Sequence, residues 1–185
     1  MLASVDRQKA LELLAIEHKA VQDLIDSLTD GEMTRPDTIR HGLYSGQECS
    51  FKDLLAHLTT YEVYSREAII CWQQGEKHWI TDAMRDPSRG REIHFGGIED
   101  RRHCSLTEML DEWRREATGI ESAIQALSDD QWRSTAPYPV TEATDLGGIM
   151  EAVLVAPPRP MYRHLPVHVP DADEYIRSLR KVQAQ

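Results

Sequence analysis

The chain has 185 residues, 41% of them hydrophobic, and its 31 acidic and 21 basic residues give a formal net charge of −10. This length predicts a single domain over residues 1–185, and the acidic excess argues against binding to nucleic acid or to anionic membranes. The N-terminus lacks the basic and apolar regions of a secretion signal, and no stretch has the length of a membrane span, so we expect a cytoplasmic protein.

The first predicted element is a long amphipathic helix over residues 4–29, with Ser4 as its N-cap. His18 interrupts the apolar face of this helix. A hydrogen-bonded core or rim histidine is the commoner role at such a position, and we interpret the neighbouring Glu17 with the same caution. Gly31 is expected just past the helix end. The apolar residues recur at spacings of three and four: Leu11, Leu14, Val21, Ile25 and Leu28.

Residues 33–47 contain glycines and a proline without a sustained period, which predicts an ordered loop. Ser50 and Asp53 then predict the N-cap of a second helix that continues to about residue 74. His57 lies on the same side of this helix as Tyr61 and Tyr64, so it faces the interior or its edge. A lone histidine at such a position more often has a structural role than a metal-binding one. A histidine pair elsewhere in the chain, however, strengthens the interpretation of His57 as a metal ligand.

Residues 75–105 form a long, charged connection, which is expected to carry a short helix or to cover a site. We interpret its histidines, His78, His94 and His103, as surface residues. A third helix follows, because Ser105 and Glu108 form a complete capping box and an apolar stripe that includes Trp113 continues to residue 128. Asp145 is the predicted cap of a short helix over residues 146–155, which the prolines at 157–160 end.

His164 and His168 are the most informative pair in the chain. On a helix they would project from one face, one turn apart, which suits two adjacent ligands of a divalent metal. Pro166 between them removes a backbone N–H, but a proline in the first turn of a helix is compatible with helical structure. Residues 170–181 then predict a last helix with an acidic start and a basic end.

Several amphipathic segments without a strand pattern predict an all-α four-helix bundle with long connecting loops. Three stretches also resemble the DinB-like superfamily of bacterial four-helix proteins, the YfiT or DfsB/ClbS group: SFKDLLAHLT at 50–59, EMLDEW at 108–113 and YRHLPVH at 162–168. The resemblance covers nearly the whole chain. It implies an up-down-down-up topology, frequent homodimers, and a divalent metal held by one histidine of the second helix and a pair from the fourth. Residue by residue, these ligands are His57, His164 and His168.

Three neutral imidazoles leave at least one coordination position of a zinc or nickel ion open to water. The pKa of water bound to such an ion falls towards about 7. Copper and iron also accept imidazole ligands. Because the resemblance links the group to detoxification, we expect a metal-dependent small-molecule hydrolase or a thiol transferase. Acidic residues that can support the ligands are Glu17, Glu62 and Asp171.

Two other hypotheses remain open on the sequence. One is a dimeric interaction bundle whose apolar stripes pair. The other is a binding module without catalysis, which holds a small molecule in a pocket between the helices lined by His18, Tyr61, Tyr64, Trp72 and Trp113.

Overall fold

The computed structural model describes residues 5–39, 48–139, 144–154 and 162–183. Within these ranges, β pairing is limited to an isolated bridge between Thr135 and Asp145, which confirms the prediction of an all-α helical bundle. No helix in the same ranges combines the length and the apolar character needed to cross a membrane. The described helices are α1 (Arg7–Ser27), α2 (Asp30–Thr34), α3 (Phe51–Gln73), α4 (Ile80–Ala83), α5 (Gly90–Asp100), α6 (Leu106–Gln125), α7 (Asp129–Trp132), α8 (Leu146–Leu154), α9 (Leu165–His168) and α10 (Ala172–Gln183).

Local capping sets the start of the three long helices. The Asp6 side chain accepts from the Lys9 N–H at 2.7 Å and starts α1, whereas the predicted cap Ser4 lies outside the described residues. Reciprocal capping boxes start α3 at Ser50 and α6 at Ser105, as the sequence predicts. Each cap satisfies an amide that has no partner inside its own helix, so these starts are fixed by residues close in sequence.

The segment after α1 differs from the prediction. Thr29 and Glu32 form a further capping box, which starts the short helix α2. Gly31 therefore lies inside a helix, and the prediction that it follows a helix end is wrong. The connection over residues 75–105 carries α4, one 3₁₀ turn (Pro87–Arg89) and α5, which agrees with the expectation of a short helix there.

Contacts near the helix ends give the directions of the first three long helices. Lys52 at the start of α3 donates to the Arg102 carbonyl just before α6, and Trp72 at the end of α3 donates to Ser134 beyond α6. These two helices are therefore parallel. Arg7 at the start of α1 pairs with Asp129 beyond the end of α6 at 2.8 Å, so α1 is antiparallel to both.

The fourth element of the bundle consists of α8, α9 and α10 in succession, and it runs in the same direction as α1. Glu151 in α8 accepts from the Val5 N–H before α1, at 2.8 Å. At the opposite end, Arg180 in α10 donates to the Ser27 carbonyl at the end of α1, also at 2.8 Å. The topology is thus up-down-down-up, and the described residues of the fourth element form three helices.

Among the described residues, the core has two hydrophobic clusters, and buried polar residues near their boundary form a polar layer. Towards one end, Leu14, Tyr61 and Ile120 belong to the first cluster, and towards the other, Val21 and Leu58 belong to the second. On α1, Glu17 and His18 fall between Leu14 and Val21, and on α3, His57 and Glu62 flank Leu58 and Tyr61. Its buried members are Glu17, His18, His57, Glu62, Glu116, His164 and His168.

A close approach between α5 and α3 brings the connection over residues 75–105 to this layer. Gly97 is buried against Thr60, and a Cβ at Gly97 would lie 1.7 Å from the Thr60 Oγ1. Only a residue without a side chain permits this packing distance. The contact places the middle of α5 beside the part of α3 that carries His57.

Candidate metal centre

The three histidines that the sequence predicts as ligands lie together. His57 projects from α3, His164 immediately precedes α9, and His168 is the last residue of α9. The Nε2 atom of His164 is 3.3 Å from that of His57 and 3.1 Å from that of His168. One ring nitrogen from each residue lies within 4.8 Å of the others, and all three side chains are buried.

The spacing of these nitrogens fits a tetrahedral zinc or nickel site. With metal–nitrogen bonds of about 2.0–2.1 Å, two nitrogens in such a site lie roughly 3.3 Å apart. The observed separations of 3.3 and 3.1 Å agree with this value. Imidazole is also a ligand type that zinc and nickel both accept. The donor set therefore fits the metal that the resemblance implies.

A backbone carbonyl orients His57. The Nδ1 of His57 lies 3.0 Å from the carbonyl oxygen of His94, so an Nδ1–H donates to that oxygen and leaves the Nε2 lone pair directed at the other two rings. The ring of His94 is held in turn, because its Nδ1 lies 2.8 Å from the Tyr61 hydroxyl. This arrangement fixes the tautomer that ligation requires.

Two of the three histidines assigned to the surface lie elsewhere. His94 is half-buried beside the centre, and His78 is buried, 3.3 Å from Glu67. His103 is exposed, as predicted. The sequence signal for His94 was its place between Ile93 and Phe95, apolar residues in a segment that was expected to cover a site.

The short helix α9 keeps the spacing of the histidine pair. Pro166 occupies its first turn, where the missing N–H has no helical partner to lose. The Val169 N–H donates to the Leu165 carbonyl at 2.8 Å, which closes one helical turn. His164 and His168 therefore lie one turn apart on the same side, and Pro166 is compatible with the pair.

Glu17 fixes the start of α9 from the opposite side of the core. Its carboxylate accepts from the His164 N–H at 2.9 Å, from the Leu165 N–H and from the Arg163 Nε at 2.9 Å. Burial raises the pKa of Glu17 even though these donors oppose the shift. Of the three acidic residues predicted to support the ligands, Glu17 therefore contacts the backbone N–H groups of the segment that carries His164. Asp171 instead accepts from the Glu174 N–H at the start of α10.

His18 belongs to a buried ion cluster next to the centre. Its Nε2 lies 3.2 Å from Glu62, and its Nδ1 contacts Glu121. Burial alone would lower the pKa of His18, but the two carboxylates outweigh burial and raise it to about 10. His18 is thus a cation held by hydrogen bonds inside the core, in line with its expected structural role.

The predicted aromatic pocket is divided in the structure. Tyr61, Trp113 and His18 line a small cavity of about 10 Å³ beside His164, which is roughly the space of one water molecule. Trp72 instead packs against Tyr138 at the end of α3, and Tyr64 packs against Trp79. The structure therefore does not bring Tyr64 and Trp72 to this cavity.

A larger groove extends from the surface to His168. It has a volume of about 870 Å³ and lies between residues 35–38 and the segment that runs from His168 through Leu179. His168 forms part of its inner wall. No motif marks these groove residues in the sequence, since they meet only through the packing of α10 against the segment after α2.

Two solved structures have a fold similar to that of this chain. The structure is similar to the crystal structure of the colibactin self-resistance protein ClbS in complex with double-stranded DNA, with a TM-score of 0.66 and 11% identity over 100% of this chain and 99% of that chain. This chain has the ClbS fold. It is also similar to an uncharacterised protein from Escherichia coli UTI89, with a TM-score of 0.71 and 13% identity over 98% of this chain and 96% of that chain. No family model and no curated protein matches the sequence.

The prediction that excludes nucleic acid is wrong, because ClbS, which shares this fold, has been crystallised in a complex with double-stranded DNA. The prediction failed because it used the total charge of the chain. The value of −10 is a sum over all residues, whereas contacts to phosphates depend on where lysines and arginines lie on one face. An acidic total is therefore compatible with a local basic surface.

Proposed function

We propose that this chain is a divalent-metal-dependent enzyme of the DinB-like superfamily that acts on a reactive small molecule, as a hydrolase or a thiol transferase in detoxification. The observation that carries the proposal is the convergence of three buried imidazole Nε2 atoms at separations of 3.1 and 3.3 Å. The likeness to ClbS, a self-resistance protein, supports a role in detoxification.

The residues of the chain have separate tasks in this proposal. His57, His164 and His168 would hold a zinc or nickel ion, which supplies Lewis-acid activation of a water or a thiol. The His94 carbonyl keeps the proton of His57 on Nδ1, so that Nε2 remains a donor of its lone pair. Glu17 holds the backbone at His164, and the Tyr61 ring packs edge-on against the His164 ring. These contacts orient the ligands before a metal binds.

Metal analysis of the full chain, purified without an affinity tag and supplied with zinc or nickel, tests the proposal. We expect about one equivalent of metal per chain, and His57→Ala should weaken zinc binding at least about 100-fold in a competition titration, since a ligand contributes more than the residues that orient it. His103→Ala is the matched control, because His103 is exposed and lies outside the cluster. Less than about a tenth of an equivalent of any divalent metal would refute the proposal.

The DNA complex of ClbS supports a second experiment on this chain. The anisotropy of a labelled duplex, measured at increasing salt, reports both binding and the number of phosphates contacted, because the slope of log affinity against log salt concentration is proportional to that number. A saturable, salt-sensitive signal would make duplex DNA a ligand of this chain as well.

A further inference from the structure

The groove beside the metal centre has the dimensions of a small-molecule site. Its volume of about 870 Å³ lies within the range of roughly 300–1,000 Å³ that ligand pockets occupy. Val169 and Leu179 provide apolar parts of its wall. Of the three candidate ligands, His168 lines the groove, although only 2% of this residue is exposed. A molecule in the groove therefore lies next to His168, one of the three candidate ligands.

The charge of the groove is negative. Three exposed carboxylates, those of Asp37, Asp171 and Glu174, lie along it. Among the lining residues that the structure describes, the cation is Arg35, whose guanidinium donates to the Leu179 carbonyl through both Nη atoms at 3.3 Å. The start of α10 adds about half a positive charge from the helix dipole. The carboxylates of Asp171 and Glu174, with two negative charges, already exceed the single charge of Arg35 and the half charge of the helix dipole.

On the basis of the function proposed above, we infer that this groove is the entrance to the histidine centre and that it favours a small molecule with a positive charge, such as a protonated amine near the reactive atom. A cation in the groove gains attraction from the carboxylates, and an anion of the same size is repelled. For a ligand charge roughly 6–8 Å from a carboxylate near a protein surface, the difference in binding free energy between a cation and an anion corresponds to about tenfold in affinity or more.

Two thiols of similar size and opposite charge serve as probes on the full chain loaded with cobalt. Cysteamine carries an ammonium group, and 3-mercaptopropionate carries a carboxylate. Each is titrated at low salt, and binding is read from the thiolate-to-cobalt charge-transfer absorption, without any turnover. We expect the ratio of the two affinities to favour cysteamine and to fall as salt is added, because ions screen the groove carboxylates.

The double variant Asp171→Asn and Glu174→Gln should lower this ratio by about fivefold or more relative to the wild type. The asparagine side chain introduced at position 171 retains an oxygen that can cap α10, so the helix start is preserved. Asp173→Asn is the matched control, since Asp173 is exposed on the same helix but does not line the groove. Comparing ratios between proteins cancels the difference in acidity between the two thiols.

A bulky substitution tests the entrance itself. Ser178→Trp places an indole in the groove and should weaken the binding of both thiols. An unchanged ratio in the double variant, unchanged binding in Ser178→Trp, or cobalt that binds without any thiolate band would each overturn the inference and leave the metal centre standing. Failure of cobalt to bind at the histidines would overturn the proposed function and the inference together.

Discussion

Deprotonation of His18 is expected to destabilise the fold between pH 6.5 and about 10. In the folded chain this imidazolium is buried between Glu62 and Glu121, which raise its pKa from 6.5 to about 10 against the opposing effect of burial. In the unfolded chain the histidine returns to its ordinary pKa. The folded state therefore binds the proton more tightly than the unfolded state does.

The direction and size of the effect follow from this difference. Stability from the bound proton is fully present below about pH 6.5 and is lost as the pH rises to about 10. At about 1.4 kcal/mol per pKa unit, the contribution is of the order of 3–5 kcal/mol. That is a large part of the roughly 5–15 kcal/mol that stabilises a typical domain.

Urea unfolding of the wild type and of His18→Gln, measured from pH 6 to pH 10, checks this prediction. Glutamine retains hydrogen-bonding capacity but cannot carry the proton. The gap in unfolding free energy between the wild type and His18→Gln should therefore be largest near pH 6.5 and should close towards pH 10. His103→Gln, at an exposed position, should give no such gap. A gap that stays constant across this range, or an NMR titration of His18 near its ordinary pKa, would refute the reasoning.

Two further predictions concern the contacts that position the centre. Glu17→Gln should weaken zinc binding about 10–100-fold in a competition titration, because the start of α9 loses its anionic acceptor, whereas the exposed Glu12→Gln should have no effect. Gly97→Ala should lower the unfolding free energy by about 1–3 kcal/mol in urea, because its Cβ meets Thr60 at 1.7 Å. Gly96→Ala, with no atom within 4 Å of its Cβ, should be neutral or slightly stabilising, and equal effects of the two alanines would contradict the packing argument.

The starts of the long helices could be predicted because their signals are local. The capping boxes at Ser50 and Ser105 lie within four residues of sequence, and the structure places helix starts at both. The same motif occurs at Thr29, where Gly31 inside it favoured a helix end, and at Ser128, where it starts the short helix α7. Short helices have too few periodic positions to stand out from a loop.

The prediction of the centre was limited by contacts that leave no mark on side-chain patterns. The spacing of His164 and His168, together with the family resemblance, predicted the three histidines that the structure brings together. His94 contributes a backbone carbonyl, which any residue possesses. Glu17 accepts from backbone N–H groups that lie 147 and 148 residues away. A helical pattern predicts the face on which Glu17 lies but not the residues that it contacts. Such contacts follow from the packing of the whole bundle.

Pairing of charges explains how ionisable groups can be buried in the polar layer. Each of the two clusters supplies hydrophobic contacts on its own side, and within the layer Glu17 pairs with Arg163 while His18 pairs with Glu62. Loss of one partner would leave a buried charge uncompensated, at a cost of about 3–5 kcal/mol, so other alignments of the helices are disfavoured. The contacts that fix this alignment also hold His164 opposite His57. We therefore expect the imidazoles to be in place before a metal binds, in contrast to small zinc domains that fold only around their ion.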